Sequence, residues 1–191
     1  TGIADPSGEC VMDRGTSVGD VPEVIGRSFR GIDTDGSLCG ELDAIISSLD
    51  LRYALNDDIG FASLTGYNKI TYDWFSGLDQ TTFSQLAQFE GQESREVSQE
   101  FRLTTDFDTP LNYLVGVYYQ ETKIDLHQDV KLNDRQYTAA TGRFDAFETF
   151  ATQEGSTMSA FAQVIWDITD QLELAGGARW TREEKDAKKH N

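Results

Sequence analysis

The sequence predicts an all-β chain, an antiparallel up-and-down meander of about six strands arranged as three hairpins. Three observations carry this. Paired segments alternate apolar and polar residues with period two. A turn signal of three to five residues joins the members of each pair. Longer stretches without any period separate one pair from the next.

Residues 1–42 are rich in Gly, Asp and Ser and read as an irregular loop region. Strand character begins at Asp43. From Leu49 one face carries Leu49, Leu51, Tyr53 and Leu55, and the other carries Ser48, Asp50, Arg52 and Ala54. Asn56-Asp57-Asp58 is a turn cluster, because short Asx side chains satisfy their own backbone in tight turns. A second strand resumes at Ile59 and runs to Phe75, with less distinct faces.

Residues 76–92 lose the period and read as a long loop. Phe83, Leu86 and Phe89 fall at three-residue steps, which predicts a short helix over 80–89. The next strand sets Val97, Gln99, Phe101 and Leu103 against Ser98, Glu100, Arg102 and Thr104. "DFDTP", residues 106–110, makes the turn into Leu111, Tyr113, Val115, Val117 and Tyr119, again at every second place. A polar segment over 126–156 reads as the second long loop. The last hairpin sets Ala160, Ala162, Val164, Trp166 and Ile168 on one face of its first strand. After the turn at 169–171, Leu172, Leu174, Gly176, Ala178 and Trp180 share one face of its second. The strand region thus spans 43–187 and leaves a tail at 188–191.

Short turns at one end and long loops at the other are the asymmetry of a transmembrane β-barrel, so the meander is predicted to be a segment of a larger one. A soluble sandwich places loops at both ends. Aromatic placement agrees. Tyr53, Tyr113 and Trp166 lie near the short turns, and Tyr119 and Trp180 lie on the same faces towards the long loops. From Leu172 to Trp180 the chain rises roughly 26 Å, or about 19 Å when tilted by 45°, close to the height of an apolar band. These five residues are the predicted lipid-facing girdle. On the opposite faces Asp50, Arg52, Glu100, Arg102, Gln163, Asp167, Glu173 and Arg179 are predicted to face the lumen. The same charges would be equally at home on the outside of a water-soluble sheet.

Composition excludes other classes. The chain has 191 residues and 33 Asp and Glu against 16 Lys and Arg, a formal net charge of -17. Clustered basic charge of the kind that binds nucleic acid or an anionic membrane surface is therefore missing. No run of apolar residues is long enough for a transmembrane helix. No nucleophile elbow, phosphate loop or cysteine–histidine pair occurs, so no enzyme and no cofactor are expected. His127 and His190 have no second ligand at metal spacing. "GIDTDGSLCGEL" mimics a calcium loop, but its first and twelfth positions are Gly31 and Leu42; it reads as a flexible acidic loop.

Cys10 and Cys39, both in the irregular first segment, are compatible with one loop-closing disulfide; two free thiols are the alternative. The first residues hold no initiating Met, basic start or apolar signal region, and both ends read as cut from a longer protein. The second long loop carries Arg135, Tyr137, Arg143, Phe144, Phe147 and Phe150. Exposed aromatics and arginines of this kind form binding surfaces, or else pack the loop on its neighbours.

Two phrases, "SQEFRLTTDFDTPLNYLVGVYYQET" and "SAFAQVIWDITDQLELAGGARWTREEKD", resemble the barrel of TonB-dependent outer-membrane receptors; "LRYALNDDIGFASLTGY" is a weaker third. The resemblance implies an outer-membrane barrel whose outer loops capture a scarce nutrient such as a ferric siderophore, cobalamin, haem or a carbohydrate. It implies further barrel strands and a plug domain as partners, with TonB engaged through the plug. Such barrels have about 22 strands around a plugged lumen, and six cannot close. The rival is a secreted or cell-surface β-domain that binds a protein or glycan through its long loops, with the aromatic face in a two-layer core.

Overall fold

The computed structural model describes residues 19–78, 86–132 and 145–190. Six strands form one sheet in the order β1-β2-β3-β4-β5-β6, every neighbour antiparallel. They are β1 (Cys39–Ala54), β2 (Ile59–Gly77), β3 (Leu86–Thr105), β4 (Leu111–Leu132), β5 (Asp145–Thr169) and β6 (Leu172–His190). A one-turn helix, α1 (Glu23–Gly26), precedes them. The predicted three-hairpin meander is present.

The tight turns close through local polar contacts. The Asp58 backbone N–H donates to Asn56 Oδ1 at 2.9 Å, and the Leu55 N–H donates to the Ile59 carbonyl at 2.8 Å. Asn112 closes the second turn from inside. Its Oδ1 accepts from the Phe107 N–H at 2.7 Å and from Thr105 Oγ1 at 3.0 Å, and its Nδ2 donates to the Phe107 carbonyl at 3.3 Å. One amide side chain thus supplies an acceptor from its oxygen and a donor from its nitrogen. In the third turn the Gln171 N–H donates to Thr169 Oγ1 at 3.3 Å.

The strands run further than the period indicates. The structure carries β3 back to Leu86 and β4 on to Leu132, and it starts β5 at Asp145. Residues 86–92, 126–132 and 145–156 are therefore strand where the sequence reads as loop. The helix expected over 80–89 is replaced by strand at 86–89; residues 79–85 lie outside the described residues. Ladder pairing decides here: Phe89 opposes Phe75 on one side and Asp129 on the other. β1 begins at Cys39 rather than 43, and β6 continues through the predicted tail to His190. At 25 residues β5 is roughly 80 Å long, about twice what an apolar band of about 25 Å needs even at a 45° tilt. Half of the sheet projects beyond the band.

Burial separates the two faces. Along β4 the odd residues from Leu111 to Glu121 are exposed and the even ones half-buried. One face is crowded, as on the concave side of a curved sheet, and the other is open. Both faces of β1 and β6 are exposed, since each lacks a neighbour on its outer edge.

The buried apolar core lies beyond the band, at the long-loop end. Val21, Ile25 and Phe29 of the segment before β1 pack on Phe75, Ala87 and Phe89. Strand parity places these three on the open face. Phe29 meets Phe75 edge-on, with ring centres 5.1 Å apart, and Lys131 Nζ stands 4.8 Å over the Phe29 ring. The acidic stretch after it is an ordered turn. Gly36 sits at φ 105°, and its carbonyl accepts from the Val21 N–H at 2.9 Å. A Cβ there would stand 1.9 Å from the Val21 carbonyl oxygen, so only glycine fits.

Candidate functional site

Register assigns the predicted strand residues to faces. One ladder row on the open face reads Tyr53, Phe61, Leu103, Val115, Ala162 and Ala178, apolar across all six strands. Eight residues further up β1 the corresponding row reads Ile45, Lys69, Arg95, Lys123, Glu154 and Asp186. The open face is therefore an apolar band that gives way to charge. Tyr53 (68 % exposed), Tyr113, Tyr119, Trp166 (46 %) and Trp180 (56 %) all belong to it, and among the described residues no second layer covers them. Where polar residues interrupt the band they bond to each other: Thr65 Oγ1 donates to Gln99 Oε1 at 2.6 Å, and Gln99 Nε2 donates to Ser63 Oγ at 3.0 Å. Such pairing lowers the cost of holding them away from water.

The concave face collects the residues predicted for the lumen. Arg52 pairs with Asp50 at 2.8 Å, and Arg102 pairs with Glu100. They line a hollow of about 400 Å³ with Leu64 and Thr104. Gln163, Asp167, Glu173 and Arg179 follow on β5 and β6 by register. Arg179 lies against the rings of Tyr118 and Phe161.

Nearer the long loops, the concave face carries a group that period counting misses. Gly40, Trp74, Glu90, Gln128 and Thr149 form one ladder row, and Tyr72, Gln92 and Leu126 belong to the next row below. Trp74 lies across Gly40, its Cδ1 3.6 Å from where a Cβ would stand. Glu90 Oε2 accepts from Gln88 Nε2 at 3.0 Å and from Gln128 Nε2 at 3.4 Å. An exposed indole beside a carboxylate held by amides offers stacking and hydrogen-bond acceptance to a small, donor-rich molecule. Trp74 lies in the strand that the sequence carries to Phe75, whereas Glu90 and Gln128 fall where the sequence reads as loop.

Of the predicted loop contacts, Arg135, Tyr137, Arg143 and Phe144 lie outside the described residues. Phe147 is in β5, opposite Val130 beside a register shift, and is 46 % exposed. Phe150, placed by the sequence in a loop, stacks on His127 with ring centres 4.3 Å apart, and His127 Nε2 lies 3.1 Å from Glu148 Oε1. His127 is thus built into the wall of β4. Cys39 is exposed at the start of β1, and Cys10 lies outside the described residues.

A family model described as TonB dependent receptor-like, beta-barrel matches residues 13–191. The chain belongs to this family. Two solved structures share its fold. The ferric yersiniabactin uptake receptor FyuA from Yersinia pestis matches with a TM-score of 0.67 at 18 % identity, over 80 % of this chain and 22 % of that one. The ferric citrate transporter FecA, in its unliganded form, matches with a TM-score of 0.54 at 12 % identity, over 78 % of this chain and 22 % of that one. No curated protein sequence matches. This TonB-dependent receptor barrel segment therefore spans about a fifth of the length of the receptors it resembles. Its family is one of transport receptors rather than enzymes.

Proposed function

We propose that the chain is one wall of an outer-membrane receptor that takes up a scarce nutrient, a ferric siderophore or a similar ligand, with TonB engaged through a plug. The observation that supports this is the uncovered apolar band edged by Tyr53, Tyr113, Trp166, Tyr119 and Trp180. In a two-layer β-domain this face would be the core. An exposed patch across six strands instead calls for lipid as its solvent. The fully exposed edges of β1 and β6 call for the remaining barrel strands, because a long unpaired edge otherwise recruits other chains.

The ligand is met above the band, by Trp74, Glu90 and Gln128 on the lumen side and by Arg135, Tyr137, Arg143, Phe144 and Phe147 at the loop end. Arg52, Glu100, Arg102, Gln163, Glu173 and Arg179 face the lumen contents.

The experiment is tryptophan fluorescence of the full receptor in bilayers with brominated acyl chains, using variants that retain one tryptophan of this segment. Quenching of Trp166 and Trp180, with Trp74 untouched, is the expected result. Emission from all three that ignores the bromines would hand the chain to the soluble-domain reading.

A further inference from the structure

The upper half of the wall sorts its charge by face. Above the row of Arg102, β2 to β5 hold Lys69, Arg95, Lys123, His127 and Lys131. Register puts all five on the open face. Among the described residues, the concave face of these four strands carries no lysine, arginine or histidine above that row, and each strand has a neighbour on both sides. Its charges above the pair of Arg102 and Glu100 are two carboxylates, Glu90 and Glu96.

Glutamine takes the place of charge there. Gln88, Gln92, Gln120, Gln128 and Gln153 all fall on the concave face. Along β4, from Gln128 to Gln120, they extend over roughly 26 Å of wall. A carboxamide donates and accepts without carrying charge, which is what a hydroxyl asks of its partner.

Tyr72 and Trp74 supply the apolar element. Both stand on this face two residues apart, and the indole is 39 % exposed. An indole offers a flat apolar body with a polar edge, a surface on which the C–H face of a sugar ring can lie. Glu90 lies directly across the ladder from Trp74, its Oε2 held by Gln88 at 3.0 Å and by Gln128 at 3.4 Å. Fixed in this way, it can accept from a hydroxyl beside the stacked ring.

Charge decides which donor-rich ligands fit. An anionic ferric chelate on this surface would meet carboxylates and no cation, a like-charge contact that costs free energy. A polyamine needs a carboxylate for each ammonium and would find two, one of them already engaged by amides.

We propose that the upper concave wall binds an uncharged sugar chain laid along β2 to β4, with one ring on Trp74. The inference rests on the receptor reading above and names its ligand: an oligosaccharide, or a ferric siderophore that carries sugars.

The full receptor in bilayer discs, presented to an array of neutral glucan, mannan, galactan and xylan oligosaccharides, tests this. Retention on at least one series is expected, with ferric citrate and spermine unable to displace it. Trp74→Ala should weaken that retention about tenfold, the scale of one lost stacking platform, and Trp74→Phe should weaken it less. The indole itself gives a second readout. With Trp74 as the one tryptophan of this segment, the retained sugar should shift its emission. Retention on no series overturns the proposal, and so does retention that Trp74→Ala leaves unchanged. If that variant does not fold, emission unmoved by the sugar overturns it as well. Displacement by ferric citrate or by spermine overturns it in favour of a charged ligand. Cells given the retained oligosaccharide as carbon source separate the two sources. Growth makes the sugar the nutrient, and retention without growth makes it part of a siderophore. The receptor reading is judged apart, by the bromine quenching above, in which no sugar takes part.

Discussion

Gly116 is the floor on which Phe161 lies. A Cβ at Gly116 would stand 2.3 Å from Phe161 Cζ and 2.8 Å from the Phe101 carbonyl oxygen. The ring of β5 can cross β4 only because β4 has no side chain there, and that ring in turn carries Arg179. Gly116→Ala meets backbone as well as the ring, so the strand itself has to shift. The expected cost is about 1–3 kcal/mol, the range for overpacking. Gly176→Ala, on the open face, is the control: among the described residues nothing lies within 4 Å of its added Cβ. Denaturant unfolding of the receptor from lipid separates the two, and equal midpoints would remove the packing argument.

The open face can be mapped by depth with single arginines. Val117 lies midway along the apolar run of β4 and is 53 % exposed. Val117→Arg should lower stability in lipid by about 2–4 kcal/mol, as for a cation at the midplane of a barrel wall. Thr152→Arg, on the same face in the charged upper half, should cost close to nothing. A similar effect at both sites would mean that the face does not cross a bilayer.

Above the band Glu93 is held by two cations, Lys69 Nζ at 2.9 Å and Arg95 Nη2 at 2.9 Å. The Lys69 hydrogen bond, more than any other contact, holds the Glu93 carboxyl below the usual glutamate range. A carboxyl depressed on folding adds stability that is full above its unfolded value of about 4.3 and disappears as pH falls through the lower folded value. Stability should therefore stay flat with respect to this group from neutral pH to about 4.3 and fall below it. Glu93→Gln should remove that part of the acid limb and leave the neutral plateau nearly flat. An acid limb identical in the variant would show that the pair contributes nothing measurable, as some exposed pairs do.

The strands and their turns were legible where one face is apolar and the other polar. Leu111 to Tyr119 and Leu172 to Trp180 read correctly because each face of the strand meets a different medium. β4 ceases to be legible beyond Glu121, where both faces carry polar residues and alternation no longer marks a side, whereas the strand region is read on to 187 at the other end of the sheet. Pairing across the ladder, a long-range property, keeps β4 extended to Leu132. That is why Glu90 and Gln128 of the candidate site were lost in a presumed loop. Trp74 stood in a predicted strand, but nothing local shows that Glu90 lies opposite it. Phe89 misled in another way: its three-residue spacing from Leu86 matched a helix, whereas its burial comes from Phe75 and from the segment before β1.

That segment gives the last prediction. Residues 21–38 attach to the open face through one buried cluster that includes Phe29, 5 % exposed, edge-on to Phe75 and with Lys131 Nζ over its ring. The strands carry their own ladder bonds, so the segment and the sheet can separate energetically. Phe29→Ala removes a buried aromatic worth about 3–5 kcal/mol, more than the isolated turn of α1 can replace. Hydrogen exchange at Val21 to Phe29 should rise to the rate of an open chain, while β3 and β4 keep their protection. Gly31 is a second point of attachment, since a Cβ there would stand 2.0 Å from Phe89 Cε1; Gly31→Val should release the same residues. Retained protection over 21–29 in both variants would show that the segment is held by something other than this cluster. Loss that spreads into β3 would show that the upper half of the sheet depends on the segment for its own order.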